Sequence, residues 1–432
     1  MRQALRVKNT RFKKHSVEID KALHVLNPYY GIKPQYQRAE VPPGGDCEVV
    51  DPTIATGYFY EQTSGQLDVA VNGAGRVGTN CARLTQTAHA TATAVYLRFA
   101  DAAGNRYPVD LRWARYVGMW IRGGAGDVFD PGDMHVYLYT REGDILYADR
   151  AMAIDFFYAT YTDPGGALWS YIELELDRFT VATGHESDDL SEVWGLGWYS
   201  DDVTVGNTLD IDQIEFYTHG TGYGPARGNI ISAPLRHDNS LHLTKGYPVA
   251  WAETAGRVDL AGNDETAFCG ICVDNPSETR LSHDFDIADT EIIVLDASLY
   301  EIGDAWIWDD TTPAGETVAI SAVNRVTNTL TVTAILVAYT VADDAKIAMQ
   351  GTQSGSIRVD VVVDGIVNML CGDGSIANVG DGVSIEIGGV PTLFVDPAIY
   401  HSTQDTMIGK ATEVGTDGEI IPVILGATGP TV

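Results

Sequence analysis

From residue 55 onward apolar and polar residues alternate with a period of two, and stretches with the 3.6-residue period of an amphipathic helix are nearly missing. Such a chain buries its apolar side chains by forming sheets. The clearest strands by this criterion are Thr93–Phe99, Tyr116–Arg122, Met134–Thr140, Ala153–Thr160, Trp169–Leu176, Val193–Tyr199, Thr208–Phe216, Glu291–Leu295, Thr317–Val323, Thr329–Leu336, Ser356–Val363 and Ile421–Leu425. Gly, Asp, Asn and Pro separate them at short intervals, the spacing of sandwiches and barrels. The expected fold class is all-β, and 432 residues at 45% apolar content are enough for several cores.

Composition divides the chain into parts. Residues 1–50, with the stretch VPPGGD, read as a basic extended arm with at most a short helix near Val17–Leu26. A strand-rich block spans 51–217, and a Gly-rich joint, THGTGYGPARGN, opens a linker over 218–239. The strand pattern of 240–280 resumes in 350–432, so 281–349 reads as a self-contained small β-domain inserted at a loop of its host.

Charge is unevenly placed along this order. The net charge is −31, yet residues 1–40 hold nine Lys+Arg against three Asp+Glu, a net +6, which leaves −37 on the rest. An acidic body repels phosphate backbones and anionic lipid, so neither DNA nor membrane is an expected partner. The arm's cations Arg2, Arg6, Lys8, Arg11, Lys13, Lys14 and Lys21 suit a tether laid across acidic surfaces of neighbouring subunits; a merely solvated arm, or one that touches packaged DNA, fits the same charges. A basic start without an apolar stretch behind it is not a secretory signal, and the longest apolar run, Ala334 to Ala342, is broken by Tyr339 and Thr340. The expectation is a soluble protein made in the cytoplasm.

Chemistry-bearing motifs are sparse. Cys269 and Cys272 have CxxC spacing, but they sit in a run that reads as a strand, where residues three apart face opposite ways; Cys47, Cys81 and Cys371 are scattered. GAGRVG at Gly73–Gly78 matches a dinucleotide fingerprint and precedes a segment able to form a short helix, yet no further βαβ units follow. The alternative is a glycine-rich turn. HExxH, GxSxG and a P-loop do not occur, and carboxylates are too abundant for a pair to be informative, so an enzyme is not expected. Asp188–Asp189 and Asp201–Asp202 read as loop acids or as parts of a structural calcium site whose ligands the sequence does not place; no other cofactor is implied.

One pattern is sharper. In MHVYLYT, His135, Tyr137 and Tyr139 share a face opposite Met134, Val136 and Leu138; in WSYIELEL, Trp169, Tyr171 and Glu173 lie opposite Ile172 and Leu174. An aromatic and acidic face behind an aliphatic one suits sugar binding, with rings on pyranose C–H surfaces and carboxylates on hydroxyls. A face packed on a second sheet or a neighbouring subunit fits the same pattern.

The segments RYVGMWIRGGAGD, HVYLYTREGDILY, WSYIELELDRF, DDLSEVWGLGWYSDD and TLDIDQIEFY, in that order, resemble the galactose-binding-like jelly rolls of carbohydrate-binding modules. GYPVAWAETAGRVDLAG, AFCGICVDN, DGIVNMLCGDGSIANVGDGVSIEIGG and MIGKATEVGTDGEIIPVIL resemble the capsid cement and decoration proteins of tailed phages. The resemblances imply a jelly roll over 51–217 and a small capsid-binding β-barrel over 240–280 plus 350–432. They further imply a decoration or turret protein on the virion's capsid surface, with the major capsid protein, a homotrimer of itself and host surface glycans as partners. The alternative they leave is a carbohydrate-binding protein of a secreted or surface system without a capsid role.

Overall fold

The structure is a computed structural model. It describes residues 33–35, 37–50, 58–61, 67–87, 94–101, 103–123, 134–139, 151–155, 169–176, 179–181, 190–200, 205–234, 243, 245–251, 258–260, 268–309, 312, 315–341, 345–350, 358–371, 376, 378–387, 393–397, 407–416 and 419–425. No α-helix occurs among them, so the all-β expectation holds. The arm cations Arg2 through Lys21 and the two Asp pairs lie outside the described residues.

Two short strands, β1 (Lys33–Gln35) and β2 (Ala39–Glu40), lead into β3 (Phe59–Glu61), β4 (Leu67–Asn72), β5 (Cys81–Gln86), β6 (Ala94–Arg98), β7 (Tyr116–Gly123), β8 (Met134–Tyr139), β9 (Ala151–Asp155), β10 (Ser170–Glu175), β11 (Thr180–Val181), β12 (Gly195–Ser200) and β13 (Thr208–Tyr217). One sheet has the order β10-β7-β13-β5-β4 and the other β11-β9-β8-β12-β6-β3. With β5 to β10, β12 and β13 as the eight principal strands, the sheets read 5-13-7-10 and 6-12-8-9. That alternation of the chain between two sheets is the order of a jelly roll. Between the sheets Phe59 stacks on Trp198 at 6.3 Å and Phe99 meets Phe216 edge-on at 6.3 Å, with Val136, Leu138 and Leu174 around them.

Alternation of burial fails on β7 and β13, where residues on both sides are buried. A strand buried on both faces needs cover on the outside of its sheet as well. The rest of the chain supplies that cover.

That remainder comprises β14 (Arg227–Pro234), β15 (Pro248–Trp251), β16 (Val258–Leu260), β17 (Phe268–Asp274), β18 (Thr279–Arg280), β19 (Glu291–Ile293), β20 (Gly303–Trp308), β21 (Glu316–Asn324), β22 (Thr329–Val332), β23 (Lys346–Met349), β24 (Arg358–Cys371), β25 (Gly382–Ile387), β26 (Leu393–Pro397), β27 (Met407–Ala411) and β28 (Ile420–Leu425). β24 pairs with β14 and β17 through its first half and with β26 and β28 through its second. The pairings β24–β26, β26–β25, β25–β27, β27–β28 and β28–β24 close a five-stranded ring around Val367, Met369, Val383, Ile408, Ile421 and Val423, a small barrel.

β17 and β24 are neighbours although β18 to β23, a separate six-stranded sheet, lie between them in sequence. The insert is not self-contained, however. Its Tyr300, Ile307, Ile320 and Ile347 share one core with Val249, Val258, Cys272, Val359 and Val361 of the host strands. It forms a second layer on the host sheet because that sheet's other apolar face would otherwise stay open to water.

Candidate binding faces of the jelly roll

Strand parity places the aliphatic residues as the sequence suggests: Val136, Leu138 and Leu174 fill the core, and Ile172 packs against it. The six residues expected to form one sugar-binding face, however, belong to two. His135, Tyr137 and Tyr139 lie in β8 of one sheet; Tyr171 and Glu173 lie in β10 of the other, with Trp169 just before it. Alternation fixes which side of a strand a residue takes but not which sheet the strand joins.

On the β8 sheet, Gly197 of β12 pairs with Tyr137 on one side and Tyr96 on the other. The Tyr139 ring crosses the glycine: a Cβ at Gly197 would stand 2.5 Å from its Oη. Tyr96 and Tyr139 meet at 4.8 Å in a tilted pair, both buried, and burial followed by the neighbouring Tyr96 pushes the Tyr139 phenol well up. Tyr137 is half-buried beside them. His135 pairs with Tyr199 and Asp155 in the same sheet.

The outer face of the β10 sheet reads as cross-strand rows. Asp212, Trp120 and Tyr171 form one; Glu215, Gly118 and Glu173 the next; Tyr217, Tyr116 and Glu175 the last. Trp120 and Tyr171 make a 5.2 Å edge contact, and Tyr116 and Tyr217 stack at 5.6 Å. Ile420, Leu370 and Tyr223 of the following region close over these rings. Tyr217 Oη donates to Glu173 Oε2 at 2.7 Å, and Lys245 Nζ reaches Glu173 Oε1 while lying 4.1 Å above the Tyr116 ring. Burial pulls Lys245 down, but Glu173, Tyr116 and Glu175 outweigh it and hold the ammonium well above its usual range.

Ion pairs frame this seam: Arg115 with Asp274, Arg227 with Glu215, and Arg76 with Glu413 at 2.7 Å. Beside it, His219 Nε2 lies 3.2 Å from Asp360. The side chains of Tyr171 and Glu173 are thus sealed between two bodies, whereas Trp169 keeps partial exposure. Sequence reasoning passed over Lys245, Arg115 and Arg227, whose role depends on a surface that comes later in the chain. The acids on the outer side of LDIDQIEFY were the available signal, because Asp and Glu on a strand with buried neighbours need cations brought to them.

GAGRVG is a loop between β4 and β5, and the segment after it is a strand, not a helix. The amides of Gly75, Arg76 and Val77 are occupied, that of Gly75 donating to Thr79 O at 3.2 Å. Asp212 Oδ2 accepts from the backbone N–H of Arg76 and Val77 at 2.7 and 2.8 Å, and Glu48 accepts from Thr79 at 2.7 Å. The carboxylates take the place a phosphate would need. Burial pushes the Asp212 carboxyl up to about 6 despite its three backbone N–H bonds.

All five cysteines are free and buried. Cys269 and Cys272 face the same core because a bulge at Cys269 shifts strand parity, contrary to the opposite faces expected of plain alternation. Burial raises the Cys269 thiol to about 12 and pushes the Cys272 thiol well up. Among the described residues no group of three or more His, Cys, Asp or Glu is placed to hold a metal ion, and no helix is long and apolar enough to cross a membrane.

No family model and no curated protein matches the chain. Among solved structures it is similar to the family 11 carbohydrate-binding module from Clostridium thermocellum in complex with a β-1,3-1,4-mixed-linked tetrasaccharide, at 11% identity over 39% of this chain and 93% of that one, with a TM-score of 0.28. A family 30 carbohydrate-binding module is similar at 16% identity over 44% of this chain and 90% of that one, with a TM-score of 0.31. The enzymatically active domain of bacteriophage CBA120 tailspike protein 4 is similar at 8% identity over 38% of this chain and 19% of that one, with a TM-score of 0.23. The jelly roll is assigned from its own strand order.

Proposed function

We propose that the chain is a non-catalytic structural protein of a tailed-virus capsid surface, seated on the capsid lattice through its later β-body and presenting its jelly roll outward to host glycans. The observation that carries this reading is the sealed face of the β10 sheet. A two-sheet sandwich fixed to a body through one outer face turns the other outer face away from it. The β8 sheet, with Tyr137 at its surface and Tyr96 and Tyr139 as an aromatic floor, is therefore the jelly roll's distal side. A partly exposed ring backed by buried rings on a sheet suits weak saccharide contacts that gain strength from many copies.

The major capsid protein and further copies of the chain as a homotrimer are the partners of the later body, and the basic arm is the tether between subunits. The closed barrel is small, and cores of that size gain stability from association. Purified particles of the virus should contain the protein in a fixed ratio to the major capsid protein. Glycan-array signal from neutral glycans on the full chain should fall on Tyr137→Ala. Absence from particles with retained glycan binding would leave a carbohydrate-binding protein without a capsid role; retained array signal in the variant would remove the β8 sheet as the site.

A further inference from the structure

The first cross-strand row of the β10 sheet lies at the rim of the seam. Arg83 of β5 stands opposite Asp210 of β13, and Asp210 opposite Arg122 of β7. Trp169 follows one residue before the β10–β7 ladder begins at Ser170 and Ile121, with the Arg122 guanidinium 4.4 Å above its ring. Arg83 grips Asp210 through Nε at 2.7 Å and Nη2 at 2.9 Å; Arg122 holds the same carboxylate through Nη2 at 2.7 Å and Nε at 3.2 Å. Arg122 Nη2 also donates to Ala74 O at 3.1 Å, and Asn72 Nδ2 donates to Asp210 at 3.1 Å.

Two cations therefore share one anion. Asp210 is 1% exposed beneath them, while the Arg83 side chain is 39% exposed and that of Arg122 17%. The row carries a net positive charge, although residues 41–240 sum to −16. Neither Nη1 has a hydrogen-bond partner among the described residues, so each guanidinium keeps N–H donors to offer. Half-buried Trp169 adds apolar surface alongside.

We infer that this row binds a carboxylate borne on a pyranose ring, an acidic saccharide. A guanidinium fork matches a carboxylate in shape and charge, and an indole beside it meets the C–H face of the ring. Asp210, buried under both arginines, holds the two like charges side by side and fixes their rotamers, so less side-chain freedom is lost when the ligand arrives. Uronic acids within a polymer and terminal sialic acids share the required chemistry. The site stands on the opposite sheet from Tyr137, and its presence does not depend on what the β8 sheet binds.

Calorimetric titration of the full chain with a galacturonic acid tetrasaccharide, with sialyllactose and with lactose tests the inference. Binding of either acid, with lactose weaker by at least about tenfold, is expected, and the acid that binds identifies the source. Arg83→Gln should weaken that binding by at least about tenfold, the loss of one charge-assisted contact, and should also lower the melting temperature, because buried Asp210 loses one of its two arginines. If Arg83→Gln does not fold, Arg83→Lys keeps the pairing with Asp210 but loses the fork, and should show a smaller loss in the same direction. Tyr137→Ala should leave the titration unchanged. Equal affinity for lactose and sialyllactose, no binding of either acid, indifference to both Arg83 variants, or loss of binding in Tyr137→Ala would each overturn it.

Discussion

On the β8 sheet Tyr139 lies across Gly197; on the β10 sheet Tyr171 and Tyr217 converge on Gly118, where a Cβ would stand 2.5 and 2.6 Å from their hydroxyl oxygens. Both faces lay aromatic rings across a glycine lane. They differ in what was added next to the rings. The β10 face received acids, Asp210, Asp212, Glu173 and Glu215, and the cations Lys245 and Arg227 that answer Glu173 and Glu215 come from outside the jelly roll. Its aromatic surface became a seam. The β8 face leaves Tyr137 partly open. Ring-rich surface alone thus does not separate a covered face from an open one, whereas buried acids whose partners lie elsewhere in the chain do.

Breaking the seam should have the largest effect. Glu173→Ala takes the nearer of two carboxylates from the largely buried Lys245 ammonium, leaving Glu175 at 4.0 Å, and should lower unfolding free energy by about 3 kcal/mol. The combined exchange Glu173→Leu, Lys245→Met and Tyr217→Phe should recover most of that, because the network is then replaced and not truncated. Urea unfolding followed by tryptophan fluorescence reads both; a tolerated Glu173→Ala would mean the seam is held by its rings alone.

Ionisation of two neighbouring acids sharpens the contrast within the seam. Asp212 titrates at about 6 in the folded chain against 3.8 as the ordinary value, so between about pH 4 and 6 the folded state holds the extra proton. Stability from this group therefore rises as pH falls through that window, by on the order of 3 kcal/mol. Asp210 runs the other way: burial pushes it up, but Arg83 and Arg122 hold it below 3.8. Its contribution is present above that value and is lost as pH falls through the lowered one. Melting temperatures of the parent and Asp212→Asn from pH 4 to 7 should diverge as pH falls, with the variant lacking the rise.

The glycine lanes permit a direct test of likeness. Gly118→Ala and Gly197→Ala each force a ring aside and should cost about 1–3 kcal/mol, with Gly118 at the upper end because Ile420 packs in the same cluster as its rings and Glu173 accepts from the Tyr217 hydroxyl. Equal costs would show that the two faces are equally constrained. Tyr137→Ala should change stability least, within about 0.5 kcal/mol, since its ring is partly exposed.

Much of the fold was legible because alternation is a local property. Val136, Leu138 and Leu174 were read correctly as core, and the all-β class followed from the same period. What stayed hidden was non-local. Nothing in MHVYLYT and WSYIELEL tells that the two strands join different sheets, and nothing near Glu173 announces Lys245. Local irregularity hid more: the Cys269 bulge reverses the expected parity, and Asp364–Gly365, just past the expected strand end at Val363, sits inside β24 beside a register shift. The arginine row was overlooked since Arg83 and Arg122 are unremarkable until Asp210 is seen between them.

The seam also sets a clock for synthesis. Tyr217 completes the jelly roll, but Lys245, Leu370 and Ile420, which cover its aromatic face, leave the ribosome later. At about 5–20 residues per second, the roughly 200 residues from Tyr217 to Ile420 take about 10–40 s. Throughout that interval the nascent chain carries an uncovered aromatic surface that neighbouring polysomal chains can reach. Slowing elongation after residue 217 should lower soluble yield, whereas slowing it before Tyr116 has emerged should not.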